Sequence, residues 1–505
     1  MTERRAMMEL RYLPDPLALA EHVRKTLKAG DEAKAIALVH MANKQGGCIV
    51  SWNHLMDYQM SQGRIKGAFK TYNEMKKRGQ MPDSHTFVIL FRGLADHAHH
   101  ADALGKALSL FHSMGAANSH TKPAIIHANA VLKVCARANN MDALWGIIAK
   151  LPERGPGSAD NMTYTTILNA LRQQVLMTQT SDMGIEEIAR QKDTAVIDGR
   201  RIWDDIVSRW KKGDLIVDEP LVAAMGRLLL VGIRPRDWDD VLSLVEQTMN
   251  IPRQVPRLDT PERANSSAPT IRAPNTPEQM KLEDANEDPD APRRGDEFIA
   301  IDTTNSSSTD PTKPARKHRS LAYAKPTSNT LSMVLEACLK TVSKKTAKQY
   351  WDLLTKDFDV APDLDNLTMY MRLLRFSRSS GQVVELLKED VVKRGLPLYP
   401  KMLRIAMSTC VRDKNNPNAI ANAGEIMELA NQLMPHPDPG SLRLYLELLG
   451  TSSDPNTRYR QAGHGRREAR SRLGREKGAN GSGSGKGARE EEEGADEKGG
   501  GEGVV

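Results

Sequence analysis

From Ile49 to Asp83 the chain runs through an apolar-striped helix, a glycine, a second striped helix and a closing Pro-Asp, a span of 35 residues. The first stripe is Trp52, Leu55, Met56 and Met60, and the second is Ile65, Ala68, Phe69, Tyr72 and Met75, spaced three and four apart. Gly63 separates them as a helix stop, and Pro82 ends the second because it cannot continue the hydrogen-bond ladder. The same order begins again at Ser84-His85-Thr86-Phe87-Val88, Ile125-Ile126-His127-Ala128-Asn129 and Asn161-Met162-Thr163-Tyr164-Thr165. It resumes at Ser328-Asn329-Thr330-Leu331-Ser332, continues at Leu364-Asp365-Asn366-Leu367-Thr368, and is weaker at Pro400. A single helix hairpin cannot bury its own stripe, so a recurrence of this length requires neighbouring units to stack. No alternating strand pattern of useful length interrupts the series. The expected class is all-α, an α-solenoid of helix–turn–helix units.

Composition divides the chain further. Hydrophobic residues make up 39% and aromatic residues 5% of 505, which suits many small amphipathic helices diluted by polar sequence. Residues 253–325 and 451–505 are rich in Pro, Asn, Ser, Gly and charge, too poor in apolar side chains to offset the entropy of ordering. A third polar stretch, 173–197, reads as a loop insertion. The organisation is therefore an N-terminal segment 1–15, an array over 16–252, a linker over 253–325, a second array over 326–450 and a tail over 451–505. That tail is basic from Arg458 to Lys477 and ends acidic. Lys+Arg 71 against Asp+Glu 64 gives +7, compatible both with a nucleic-acid partner and with an ordinary basic protein. No apolar run approaches the roughly 18 residues of a membrane span. Glu3 and Glu9 sit beside the N-terminal arginines, so no clear presequence is read.

The units resemble the pentatricopeptide-repeat family, most clearly in "IVSWNHLMDYQMSQGRIKGAFKTYNEMKKRGQMPD", with its glycine turn, Met75 and closing Pro-Asp. The likeness covers about two thirds of the chain. Further units fall at about 16–48, 84–124, 125–160, 161–218, 219–252, 328–363, 364–399 and 400–438. Cys135, Cys338 and Cys410 occupy one place in their units, within "AVLKVC", "MVLEAC" and "AMSTC", and read as packing residues. With Cys48 they are far apart, so neither a disulfide framework nor a cysteine zinc site is expected.

The resemblance implies that each unit meets one base of single-stranded RNA through its fifth and last residues, with the second residue covering a base face. Carried over, the first clear unit offers Asn53 and Asp83 with Val50, and another offers Asn129 and Asp160 with Ile126. In the family an Asn/Asp pair favours uracil. Thr165 with Asp218 and Ser332 with Asp363 give the small-hydroxyl pairing that the family uses for purines, usually guanine. Thr368 is a further reading position. Val88 and Ala124 cannot hydrogen-bond a base through their side chains, so weak selectivity is expected.

His97, His99 and His100 have no known zinc spacing and read as loop residues. No phosphate loop, GxSxG elbow, HExxH or deaminase signature is present. Neither catalysis, a cofactor, a metal nor a small-molecule substrate is expected. The basic tail suits either salt-sensitive RNA affinity or solubility alone. The leading expectation is a factor for mitochondrial RNA processing, stability, splicing or translation, similar to fungal or animal mitochondrial members of the family. Its RNA would be mitochondrial ribosomal or messenger RNA, and small-subunit rRNA maturation is one such role. The alternative is a protein-binding scaffold or a component of the mitochondrial ribosome small subunit.

Overall fold

The computed structural model describes residues 2–451, apart from 45, 118, 179–182, 259, 267–270, 272, 274–275, 286–293 and 302–320. The basic and acidic parts of the expected tail lie outside the described residues. Among the described residues every regular element is a helix. In chain order these are α1 Thr2–Leu10, α2 Pro16–Lys28, α3 Glu32–Ala42, α4 Ile49–Ser61, α5 Ile65–Lys77, α6 Ser84–Asp96, α7 Ala103–Met114 and α8 Ile125–Arg137. They continue as α9 Met141–Ile148, α10 Asn161–Met177, α11 Ile185–Lys212, α12 Glu219–Leu229, α13 Pro235–Met249, α14 Pro261–Ala264 and α15 Glu278–Ala285. The remainder are α16 Ser328–Lys340, α17 Lys344–Asp352, α18 Leu364–Phe376, α19 Ser380–Leu386, α20 Pro400–Arg412, α21 Ala419–Leu433 and α22 Pro439–Gly450. None is long and apolar enough to cross a membrane.

The described chain divides into two compact units that part between Leu373 and Leu374. In the first, α2, α4, α6, α8, α10, α12 and α16 pack each on the next, forming a row of first helices. Each also packs on the helix that follows it in its own hairpin. This is an α-solenoid, and its stripes are buried as their spacing requires: Trp52, Leu55, Met56 and Met60 are at most 1% exposed. Within the second unit α20 packs against α19, α21 and α22.

Sharp turns keep the hairpins short. Gly63 takes φ +71°, and the Arg64 amide reaches back to the Gln59 carbonyl at 2.9 Å, closing the end of α4. The three aligned cysteines are buried in α8, α16 and α20 as packing residues. Burial pushes the Cys135 thiol up to about 11, and those of Cys338 and Cys410 up to about 12.

Two polar stretches depart from expectation. The stretch 173–197 is largely helical: α10 continues to Met177 and α11 starts at Ile185. Its buried face passes through Ala189, Asp193, Val196, Arg200, Trp203 and Trp210. Charged residues on that face break the apolar pattern by which a helix is recognised in sequence. They are buried because they are paired. Arg234 grips Asp193 with two bonds of 3.0 Å, and Arg200 reaches Asp237 and Asp240 of α13 at 2.7 Å each.

The second departure is the expected linker, whose described parts pack against α11 and α13. Arg253 bonds Asp239 at 2.8 Å, Arg294 bonds Asp193 at 2.8 Å, and Glu297 completes the carboxylate set around Arg200. Phe298, fully buried, lies 6.2 Å from the Trp203 ring, with the Arg200 guanidinium over its face. The mixed charge that argued against folding is thus what anchors the segment. The chain then returns to the row. Ala324 donates to the Thr248 carbonyl at 2.9 Å, and α16 packs on α12 and α13.

Candidate nucleic-acid interface

The closing aspartate of a repeat is also the N-cap of the next repeat's first helix. Asp83 Oδ1 accepts the Thr86 amide at 2.8 Å, and the Asp83 amide donates to Thr86 Oγ1 at 3.2 Å, a capping box opening α6. From the preceding first helix, Asn53 Nδ2 donates to Asp83 Oδ1 at 3.2 Å, while Asn53 Oδ1 accepts from the Thr86 hydroxyl at 2.7 Å. The carboxylate, which can only accept, fixes the amide with its Nδ2 toward Asp83 and its Oδ1 toward the hydroxyl. Burial alone would raise the Asp83 carboxyl. The Thr86 amide and hydroxyl and the Asn53 amide outweigh it and hold the group below its ordinary value.

Two repeats on, the same lattice recurs. Asn129 Nδ2 donates to both oxygens of Asp160, at 3.0 and 3.2 Å, and Asn129 Oδ1 accepts from the Thr163 hydroxyl at 2.6 Å. In the second unit an arginine takes the place of the asparagine, since Arg404 forks onto Asp438, the N-cap of α22, at 2.6 to 3.2 Å. Hydrogen bonds from Arg404 hold the Asp438 carboxyl well below its ordinary value. Arg404 is missing from the sequence-based set, although counting five residues from the start of α20 reaches it.

The other expected pairs are not direct contacts. Thr165 turns its hydroxyl back to the Asn161 carbonyl at 2.7 Å, and Asp218 instead accepts from Asn161 Nδ2. A β-branched hydroxyl on a helix is close enough to its own preceding turn to bond there. Ser332 and Asp363 are linked through Asn366, which caps with Asp363 at 2.8 Å and donates to Ser332 Oγ at 2.6 Å. Thr368 is buried and bonds the Leu364 carbonyl at 2.7 Å. Asn53 is itself only 6% exposed, with both ends of its amide engaged by Asp83 and Thr86.

The second positions are different. Val50 is 40% exposed and Ile126 54%, and each lies three residues before its asparagine, hence on the same helix face. Leu17 and Met162, which the sequence reading did not single out, hold the second position of α2 and α10 and are also well exposed. Four of the five successive first helices from α2 to α10 therefore project an apolar side chain, and the exception, α6, projects the exposed His85. His97, His99 and His100 lie between α6 and α7, and no group of three or more metal-binding side chains is gathered among the described residues.

Residues 47–96 match the PPR repeat family. That stretch carries the pentatricopeptide repeat. Among relatives of this repeat chain is "Pentatricopeptide repeat-containing protein 2, mitochondrial" of Schizosaccharomyces pombe, 22% identical over 247 residues, covering 48% of this chain and 54% of the relative. A pentatricopeptide repeat-containing protein of Arabidopsis thaliana is 28% identical over 104 residues, 21% of this chain and 15% of its own. This chain thus spans about half, or less, of the length of these relatives. Among solved structures, that of the pentatricopeptide repeat protein PPR10 from maize has a TM-score of 0.28 at 12% identity, covering 95% of this chain and 72% of the other.

Proposed function

We propose that this pentatricopeptide-repeat chain binds single-stranded RNA along its row of first helices, and that it does so in mitochondria. The observation that carries the reading is the recurrence of one lattice at Asn53–Asp83–Thr86 and Asn129–Asp160–Thr163, each beside an exposed apolar second residue. A carboxylate shared between a helix cap and an asparagine holds that amide in one orientation before any ligand arrives. Binding then loses little side-chain entropy. An apolar side chain three residues away can cover a base face while the amide edge meets its hydrogen-bonding groups. The mitochondrial setting is supported by the fission-yeast relative, whose name assigns it to that organelle. A ribosomal or messenger transcript of that compartment is the proposed class of target. RNA processing, stability, splicing or translation is the corresponding role.

The test uses exposed residues, so that folding and binding separate. Crosslinking and sequencing of bound RNA identifies the ligand, and Val50→Ala with Ile126→Ala should then weaken it by about 1 kcal/mol per base, the low end of what a base loses with its stacking partner. Thermal unfolding should be unchanged, since both side chains face solvent. Undiminished RNA affinity in the double variant would overturn the trough. Recovery of no RNA above background, with an apolar peptide bound through Val50 and Ile126 instead, would favour a scaffold.

A further inference from the structure

The second helix of the clearest repeat carries a charge pattern unlike that of its neighbours. Along α5, Lys66, Lys70, Lys76 and Lys77 stand against Glu74, so 4 − 1 gives +3. The second helices α3 and α9 carry 0 and −1 by the same count, and α7 carries +1. Lys66, Lys70, Asn73 and Lys77 are spaced four, three and four apart, which places them on one face. At about 1.5 Å per residue, the three lysines form a row roughly 16 Å long. All three are exposed, and none has a carboxylate within ion-pairing distance among the described residues. Glu74, the one acid on the helix, is engaged by His40 and Arg78.

This row lines a groove of about 730 Å³ whose far wall is Lys106 of α7, and the half-buried Phe69 lies in it beside Lys66 and Lys70. A second-helix face is not where the asparagine–aspartate lattice lies, so these cations belong to a separate surface. An extended row of ammonium groups that make no ion pair does not suit one compact anion. It suits a polyanion that runs along the helix, and an aromatic face in the same groove can stack a base, which a carboxylate-rich peptide does not offer.

We infer that the groove between α5 and α7 holds the sugar–phosphate backbone of a single-stranded RNA segment flanking the one laid on the first helices. The inference rests on the chain binding RNA, and the experiment separates the two. Full-length protein is titrated with fluorescent poly(U) across a salt series, comparing wild type with Lys66→Gln/Lys70→Gln/Lys77→Gln, with the same three positions changed to Arg, and with Val50→Ala/Ile126→Ala. At about 0.7 per neutralised phosphate on a single strand, the glutamine triple should lose a salt slope of about 2. That is roughly a twenty-fold smaller fall in affinity between about 50 and about 200 mM salt. The arginine triple should keep the wild-type slope, and the Val50/Ile126 variant should weaken binding without changing it. An unchanged slope in the glutamine triple overturns the groove and leaves the trough intact. Failure of the wild type to bind poly(U) or any crosslinked RNA overturns both. If poly-glutamate binds the wild type as well as poly(U) does and loses as much in the triple, the occupant is an acidic protein segment and the assignment to RNA is wrong.

Discussion

Asp83 serves two helices with one carboxylate, capping α6 while orienting Asn53 of α4. Losing it removes the cap, so Asp83→Ala should cost about 1 kcal/mol by chemical denaturation. Its pH dependence follows from the same contacts. Because the folded group lies below its ordinary value near 3.8, its contribution is complete above that value and disappears as pH falls through the lower, folded one. Asp83→Asn keeps a capping oxygen but does not titrate, so its stability deficit against wild type, followed by circular dichroism, should shrink below about pH 4. A deficit constant down to acid unfolding would show that the carboxylate charge adds nothing. At this scale the sequence was legible for the cysteines and for the two asparagines, whose amides find their partners outside their own helices. The aligned cysteines pack as their shared position implied, and the Asn53–Asp83 and Asn129–Asp160 pairs do touch. Thr165 and Ser332 were harder to place, because a hydroxyl can bond its own helix or a cap, and spacing does not choose between them.

Between elements, close approach is decided by absence of side chain. A Cβ on Gly93 of α6 would lie 2.6 Å from Met60 Cβ and Cγ of α4, so the two first helices approach each other across a glycine. Gly93→Ala should destabilise by roughly 1–2 kcal/mol net, the overpacking outweighing the helix propensity that alanine gains. In a Met60→Gly background, which removes the facing Cβ as well, the same change should become neutral or stabilising, and an equal loss in both backgrounds would refute the contact. The segment carrying Phe298 is tested similarly. With Phe298 buried against Trp203, Phe298→Ala should cost roughly 3–5 kcal/mol and expose 294–300 to limited proteolysis. Helix positions were legible where stripes are apolar, as in α4 and α5. They were hidden in α11, where Asp193 and Arg200 occupy stripe positions and only their partners on α13 and in the segment after it explain their burial.

On the scale of the first unit, the row of first helices runs from α2 to α16 although the chain leaves it after α13 and returns only at α16. The recurrence of unit starts at Ser328 already pointed to resumed stacking. What lay beyond sequence was the partner of α16, since contact with α12 depends on where the intervening chain comes back. Met333 fills the space beside Gly226, and Arg227 bonds Asn329 at 2.7 Å. Gly226→Ala should therefore destabilise the unit by roughly 1–3 kcal/mol, because the new Cβ would collide with Met333. An unfolding midpoint unchanged by that substitution would contradict the contact between α12 and α16. The stitch between Ala324 and Thr248 has a consequence for readout. Ala223 and Ser332 hold the same position in helices that touch, yet 109 residues part them in the chain. On the proposed reading of the first helices, a transcript would meet α12 and α16 in succession, so the excursion between them can lengthen or shorten over generations without opening a gap in the row.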